Sequence, residues 1–272
     1  MLRYMDSSTL KMSLDLLKLY KSPETNRYST FGDYADQLVP ADLVAAYRHT
    51  RNCAPRRHDR DKSYFVDHSE RTTRAEKSNR GEEHLAIALL KASRMAGPIT
   101  LPDGRALNIL DYQMPLKAQQ KDKGVGKVDL FGLIDDHRAT VIELKVVPTS
   151  GRGDTPLRAY LEALAYCAIV EANVSEIAND AKSRYGKSVE IQPPGLVVMA
   201  PADYWVGYQA NAKVGRWWPV LSSMVKEIDD SLGIETHFLA LKNATFQMGS
   251  RDHAPQLTGD CSVVDVAELY GG

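Results

Sequence analysis

The chain has 272 residues, of which 43% are apolar and 25% are charged, and its formal net charge is −1. These values are ordinary for a globular protein with a substantial core. The near-neutral charge excludes a protein that attracts nucleic acid over its whole surface, so any such surface must be local. No run approaches the roughly 18 apolar residues that would cross a membrane, and we expect no membrane partner.

The cysteine pattern and the N-terminal residues predict the cellular compartment of the protein. Cys53, Cys167 and Cys261 are odd in number and widely spaced, which argues for a reducing compartment and against a disulfide framework. Asp6 and Lys11 interrupt the apolar stretch that a signal peptide would need. We therefore expect a cytoplasmic protein.

Residues 1–78 are predicted to form a helical extension with a basic loop. Leu10, Leu14 and Leu17 fall on one face of a first helix, and Pro40 begins a second, since proline suits the first helical position. From residue 51 to 80 the chain is polar, with nine Lys or Arg against five acids. This segment is either a solvated loop or a surface that touches phosphates or another protein.

Residues 79–243 alternate between strong helices and strands, and residues 244–272 are predicted to be a polar tail. The predicted elements are a helix at 81–97, strands at 106–118, 125–134 and 139–147, a helix at 155–173, a strand at 188–201 bent at Pro193-Pro194, a helix at 216–233 interrupted near Pro219, and a strand at 234–243. Strands joined by short turns are antiparallel, and strands joined across helices are usually parallel. The order therefore predicts an α/β protein with a mixed five-stranded sheet flanked by helices.

Three charged residues, Asp129, Glu143 and Lys145, interrupt the predicted hairpin of the second and third strands. Side chains alternate along a strand, so Glu143 and Lys145 share a face, and a turn at residues 135–138 brings Asp129 to the level of Glu143. The flanking residues are continuously apolar, as in a sheet covered on both faces. The charges are thus either a buried functional cluster or a structural ion pair of Asp129 with Lys145 and an exposed Glu143.

Two carboxylates held together repel each other unless a cation lies between them. Hard oxygen ligands suit Mg²⁺ or Mn²⁺, which leaves coordination positions open for water and a phosphate. A neighbouring lysine can orient or deprotonate the attacking water. Asp129, Glu143 and Lys145 therefore carry the groups that metal-dependent phosphodiester hydrolysis needs.

The spacing from Asp129 to Glu143-Leu144-Lys145 resembles the signature of the PD-(D/E)XK nuclease superfamily, and the order of elements over residues 79–243 is similar to its restriction-endonuclease-like core. Val128 stands where the motif has proline. The resemblance implies that Asp129, Glu143 and the Leu144 carbonyl bind Mg²⁺ or Mn²⁺ and that Lys145 positions water. It also implies DNA as the expected substrate, and it leaves a homodimer as one form of assembly.

The resemblance suggests further site residues on two helices. Glu82 lies on the buried stripe of its helix and is the expected additional metal ligand; the alternative is a first-turn acid favoured by the helix dipole. Arg158 and Tyr166, spaced eight residues apart, are candidates for substrate binding. The alternative for Arg158 is a surface pair with Glu162.

The sequence thus predicts a metal-dependent nuclease. Because fold does not settle function, a catalytically inactive module on the same fold that binds nucleic acid or protein stays open. The two interpretations differ in geometry, since a nuclease needs Asp129 and Glu143 close enough to share one cation with Lys145 beside them.

Overall fold

The computed structural model describes residues 14–68, 80–147, 153–209, 217–247, 249, 253–258 and 261–270. The helices are α1 (Leu16–Leu19), α2 (Phe31–Gln37), α3 (Pro40–Asn52), α4 (Gly81–Ala96), α5 (Pro156–Ala172), α6 (Val174–Tyr185), α7 (Ala202–Gln209), α8 (Trp217–Leu232) and α9 (Val266–Tyr270). The strands are β1 (Ile99–Thr100), β2 (Ala106–Pro115), β3 (Lys127–Ile134), β4 (Arg138–Leu144), β5 (Gly195–Pro201), β6 (Glu235–Lys242), β7 (Thr245–Gln247), β8 (Gln256–Thr258) and β9 (Ser262–Asp265).

The main sheet is mixed, with the strand order β1-β2-β3-β4-β5-β6-β9. Strands β1 to β4 are antiparallel, β4, β5 and β6 are parallel, and β9 returns antiparallel to β6. The predicted α/β class and the mixed sheet with flanking helices are confirmed. The predicted number of five strands is wrong, because β1 and β9 extend the two edges. Both are too short to produce an alternating pattern, and β9 lies in the predicted polar tail.

The hairpin of β3 and β4 turns where the sequence predicts it. Asp135 and Asp136 have φ values of 52° and 63°, the left-handed conformation of the tight turns that match the twist of a hairpin. The pairs run from Ile134–Arg138 to Leu130–Ile142. This register determines which side chains of the two strands meet.

The sheet carries a buried cluster on each face. Phe131 and Val141 point toward α5, together with apolar residues of α1, α2, α3 and α8. Leu130 and Ile142 point the other way, toward α4. Helix α5 is buried on nearly all sides, which explains its almost continuous apolar sequence. The N-terminal helices thus share a core with α5. The predicted boundary at residue 78 lies outside the described residues, and the three-part division stays a prediction.

Several local predictions need correction. Helix α8 runs through Pro219 without interruption, because proline is tolerated in the first helical turn. The strand predicted from residue 188 begins only at Gly195, since Pro193 and Pro194 have no N–H to donate to a sheet. The sequence pattern did not predict α6 and α7. Of the first predicted helix, α1 begins at Leu16, and Leu10 lies outside the described residues.

None of the helices within the described ranges combines the length and the apolar character that crossing a bilayer requires.

Candidate functional site

The β3–β4 hairpin places Asp129 and Glu143 next to each other. They lie one step beyond the last regular pair, Leu130–Ile142. Continuing this register sets them directly opposite, where the Cβ atoms of two facing residues are roughly 4.5–5.5 Å apart. Their residues are 9% and 3% exposed, so both carboxylates are buried.

Lys145 follows β4 and lies on the same face. Its Nζ is 2.6 Å from Glu143 Oε1, 3.5 Å from Glu82 Oε1 and 3.7 Å from Asp154 Oδ2. The lysine side chain is 3% exposed, whereas that of Glu82 is 40% exposed. One buried ammonium thus faces three carboxylates, and Glu82 forms the solvent side of the cluster.

Two donors hold the Asp129 carboxylate. Gln113 Nε2 donates to Oδ1 at 3.0 Å, and the Leu144 N–H donates to Oδ2 at 3.0 Å. An ionised carboxylate oxygen accepts more than one hydrogen bond or ligand. Both oxygens of Asp129 therefore keep capacity for a cation. The Leu144 carbonyl stays a predicted ligand.

Burial dominates the electrostatics of the cluster. Burial raises the pKa of Asp129 to about 7, and Lys145 opposes the shift only in part. Burial also raises the pKa of Glu143 and of Glu82. For Lys145, burial lowers the pKa, but the carboxylates of Glu143, Glu82 and Asp129 outweigh it and hold the pKa above its ordinary value. Ionisation of all three carboxyls is therefore unfavourable unless a further positive charge lies beside them.

A second acidic cluster, formed by Asp103, Glu235 and His237, provides a contrast. Its ligand atoms lie within 4.8 Å of one another. The Arg105 guanidinium donates to Asp103 Oδ2 at 2.6 Å and to Glu235, and it lies 3.1 Å from His237 Nε2. Hydrogen bonds from Arg105 lower the pKa of Asp103 and of Glu235. A cation already satisfies this cluster, so we assign it a structural role.

No protein-family model, curated protein or solved structure matches this chain.

The cluster of Asp129, Glu143 and Lys145 lies at the carboxyl end of the parallel strands. Glu143 aligns with Val198 at the carboxyl-terminal half of the parallel pair β4–β5, and the Lys145 N–H donates to the Met199 carbonyl. Ligands of open α/β sheets bind outside the carboxyl ends of the strands. The cluster of Asp103, Glu235 and His237 lies at the opposite end, where Glu235 begins β6.

Helix α5 lines the cluster with the residues predicted there. The Arg158 guanidinium is 3.4 Å from Asp154 Oδ1, and the Tyr166 hydroxyl donates to Glu162 Oε1 at 2.9 Å. These contacts replace the surface pair of Arg158 with Glu162 that the sequence left open. Tyr166 is 3% exposed, and its hydroxyl also lies 3.5 Å from that of Tyr20. Direct substrate binding by Tyr166 stays a prediction.

Sequence reasoning missed two residues of the cluster, Asp154 and Gln113, and it considered Glu162 only as the surface partner of Arg158. Asp154 precedes the N-cap Thr155 of α5, and Asn26 Nδ2 donates to it at 3.1 Å. Gln113 lies opposite Asp129, and Glu162 raises the pKa of Asp129 and Glu143 through its charge. An acid just before a helix cap was a signal for Asp154, whereas nothing in the sequence distinguishes Gln113.

Proposed function

We propose that the protein is a Mg²⁺- or Mn²⁺-dependent nuclease that hydrolyses phosphodiester bonds, with DNA as the expected substrate and a restriction-endonuclease-like core. The observation that carries the proposal is the cluster at the end of β4, where the Lys145 ammonium lies within 3.7 Å of Glu143, Glu82 and Asp154, and Asp129 faces Glu143 from β3. Such a set of carboxylates is costly to keep ionised, and either protons or a bound cation relieve that cost.

The donor set fits a hard divalent cation. Asp129 and Glu143 offer carboxylate oxygens on one face, the Leu144 carbonyl directly follows Glu143 in the chain, and Glu82 approaches from α4. All four are oxygen donors, as Mg²⁺ and Mn²⁺ require. When bound, the metal supplies Lewis acidity toward the phosphoryl oxygen and lowers the pKa of coordinated water.

The remaining residues have roles that follow from their contacts. Lys145, held by Glu143 at 2.6 Å, is placed to orient a water molecule for attack. The buried Nε of Arg158 has no hydrogen-bond partner among the described residues. A guanidinium binds phosphate through parallel hydrogen bonds, so we assign Arg158 to the scissile phosphate. Asp154 orients Arg158 through their ion pair.

A local basic surface supports a nucleic-acid partner despite the net charge of −1. The "lysine surface" consists of exposed residues in and just after α1, in the loop before β3 and at the start of β3, namely Lys18, Lys21, Lys117, Lys121, Lys123 and Lys127. The two segments touch, because the Tyr20 hydroxyl and Lys21 Nζ both donate to the Gly124 carbonyl, at 2.7 and 3.0 Å. The surface adjoins the cluster, since Lys127 begins the strand that carries Asp129. Clustered lysines attract a phosphate backbone.

The proposal is tested by cleavage of single- and double-stranded DNA and of RNA with Mg²⁺, Mn²⁺ or EDTA. We expect Asp129→Asn and Lys145→Ala each to reduce metal-dependent cleavage by about a thousandfold, the range typical of removing an acid–base or electrostatic group. Circular dichroism should show both variants folded. Asp103→Asn, in the cluster that Arg105 neutralises, is the matched control and should retain full activity. Wild-type activity in both site variants would overturn the proposal.

One observation favours a second candidate, a catalytically inactive module that binds nucleic acid or protein. The short contact of Lys145 with Glu143 is what a purely structural buried ion pair would also show. This candidate predicts metal-independent binding without cleavage of any nucleic acid.

A homodimer remains one form of assembly within either proposal. A cytoplasmic location is supported by Cys53, Cys167 and Cys261, which are free thiols.

A further inference from the structure

Gln113 has a backbone conformation that is unusual for its place in the fold. It lies inside β2, between the pairs Tyr112–Leu130 and Met114–Val128, and its φ is 51°. The left-handed region is uncommon for residues other than glycine, and residues of a regular β-strand have negative φ values. Non-glycine residues in this region cluster at functional sites, where surrounding structure maintains the strain.

The position of Gln113 connects this strain to the carboxylate cluster. The pairs on either side place it opposite Asp129, and Asp129 in turn lies opposite Glu143, so the three form a row across β2, β3 and β4. The Gln113 Nε2 donates to Asp129 Oδ1 at 3.0 Å. The other oxygen of Asp129 is held by the Leu144 N–H at 3.0 Å.

The two hydrogen bonds determine the orientation of the Asp129 carboxylate. Together they fix the rotation of the carboxylate about its last bond, because each oxygen has its own donor. One donor is a backbone N–H of β4 and is present whatever the side chains are. The other is the side-chain amide of Gln113, so a substitution at this position removes it.

We propose that Gln113 is a positioning residue: its left-handed conformation is maintained because it directs the side-chain amide to Asp129 and orients that carboxylate for a divalent cation. This inference rests on the proposed metal site. Partners that orient a ligating carboxylate commonly affect metal affinity about tenfold to a hundredfold. The amide adds no charge, so it orients Asp129 without competing with the cation.

Two variants distinguish the effect of the Gln113 side-chain amide from the effect of its strained backbone. Gln113→Met keeps the length of the side chain and removes only its polar group. Gln113→Gly removes the side chain and also relieves the backbone, since glycine adopts positive φ freely. Calorimetric titration of the full chain with Mn²⁺ measures affinity, and thermal unfolding in EDTA measures stability. We expect Mn²⁺ affinity to fall about tenfold or more in both variants. We expect Gln113→Gly to melt at a higher temperature than Gln113→Met.

A merely structural role would instead lower stability in both variants and leave Mn²⁺ affinity unchanged. Asn243→Gly is the matched control, because Asn243 also has a positive φ, 56°, but lies in an exposed turn after β6; its Mn²⁺ affinity should equal that of the wild type. Wild-type Mn²⁺ affinity in the two Gln113 variants would overturn the inference. If the wild type itself binds no Mn²⁺, or if Asp129→Asn binds it equally well, the proposed metal site fails instead.

Discussion

Burial governs the chemistry of the three charged residues in the β3–β4 hairpin. Asp129, Glu143 and Lys145 are each at most 9% exposed, so water screens their charges poorly. The lysine is held charged by the carboxylates around it, whereas the carboxyls are held toward their neutral forms. A buried pair of this kind is weak evidence for a stabilising role, because desolvation offsets the attraction between the partners.

The raised pKa of Asp129 predicts a pH dependence of stability in the metal-free protein. Its folded value is about 7, and a carboxyl of an unfolded chain titrates near 3.9. The folded state therefore holds the proton more tightly, and this stabilising contribution is complete below about pH 4 and disappears as the pH rises through about 7. The raised pKa values of Glu143 and Glu82 act in the same direction.

In EDTA, we expect the melting temperature of the wild type to fall between pH 5 and pH 8, and that of Asp129→Asn to fall less. Scanning calorimetry at both pH values measures the difference. Mn²⁺ at pH 8 should restore the stability of the wild type, because the cation replaces the missing proton. Identical decreases in the two proteins would contradict this account of Asp129.

At the scale of elements, α5 and the loop before β3 pack closely at the back of the cluster. Gly126 lies directly against the Tyr166 hydroxyl, so that an added Cβ would overlap it. That hydroxyl donates to Glu162 at 2.9 Å. The loop, the helix and the acid are thus linked, and the glycine is required by the close approach rather than by its φ.

We expect Gly126→Ala to reduce the free energy of unfolding by about 1–3 kcal/mol, as overpacking of a well-packed site does. Chemical denaturation measures the change. Tyr166→Phe removes the overlapping oxygen, so the double variant should recover part of this stability relative to Gly126→Ala alone. Simple additivity of the two single changes would show that the contact is not the cause.

At the scale of the whole molecule, the N-terminal segment contributes to the site as well as to the core. Asn26 donates to the Asp154 carboxylate, and Tyr20 lies beside Tyr166. The same segment provides part of the lysine surface. The residues without a counterpart in the family resemblance therefore contact both the proposed metal site and the proposed path of the substrate.

The lysine surface predicts how binding depends on salt. In Asp129→Asn with EDTA, where cleavage is removed, Lys121→Glu with Lys123→Glu should weaken DNA binding and reduce the slope of log K against log salt by about 0.7–0.9 for each phosphate that the protein no longer neutralises. Fluorescence anisotropy of labelled DNA measures both quantities. The pair Lys182→Glu and Lys226→Glu, on α6 and α8, gives the same charge change at exposed positions outside this surface. Equal effects of the two pairs would exclude a specific surface.

Much of the site was predictable because its signals are local. The alternation in β4 places Glu143 and Lys145 on one face, and the turn at Asp135-Asp136 brings Asp129 opposite Glu143. The packing of α4 brings Glu82 to Lys145, as its place on the helical stripe indicates. The assignment of catalysis to these residues stays a prediction until cleavage is measured.

The sequence by itself determined the α/β class, the hairpin and the facing of its charges, because strand period and turn chemistry act over a few residues. Only the tertiary structure decided that Asp154 joins the cluster, that Gln113 holds Asp129, and that Arg105 neutralises the competing acidic cluster. It also decided the two edge strands. These features depend on contacts between segments distant in the chain, or on strands of two to four residues, and neither leaves a periodic signal.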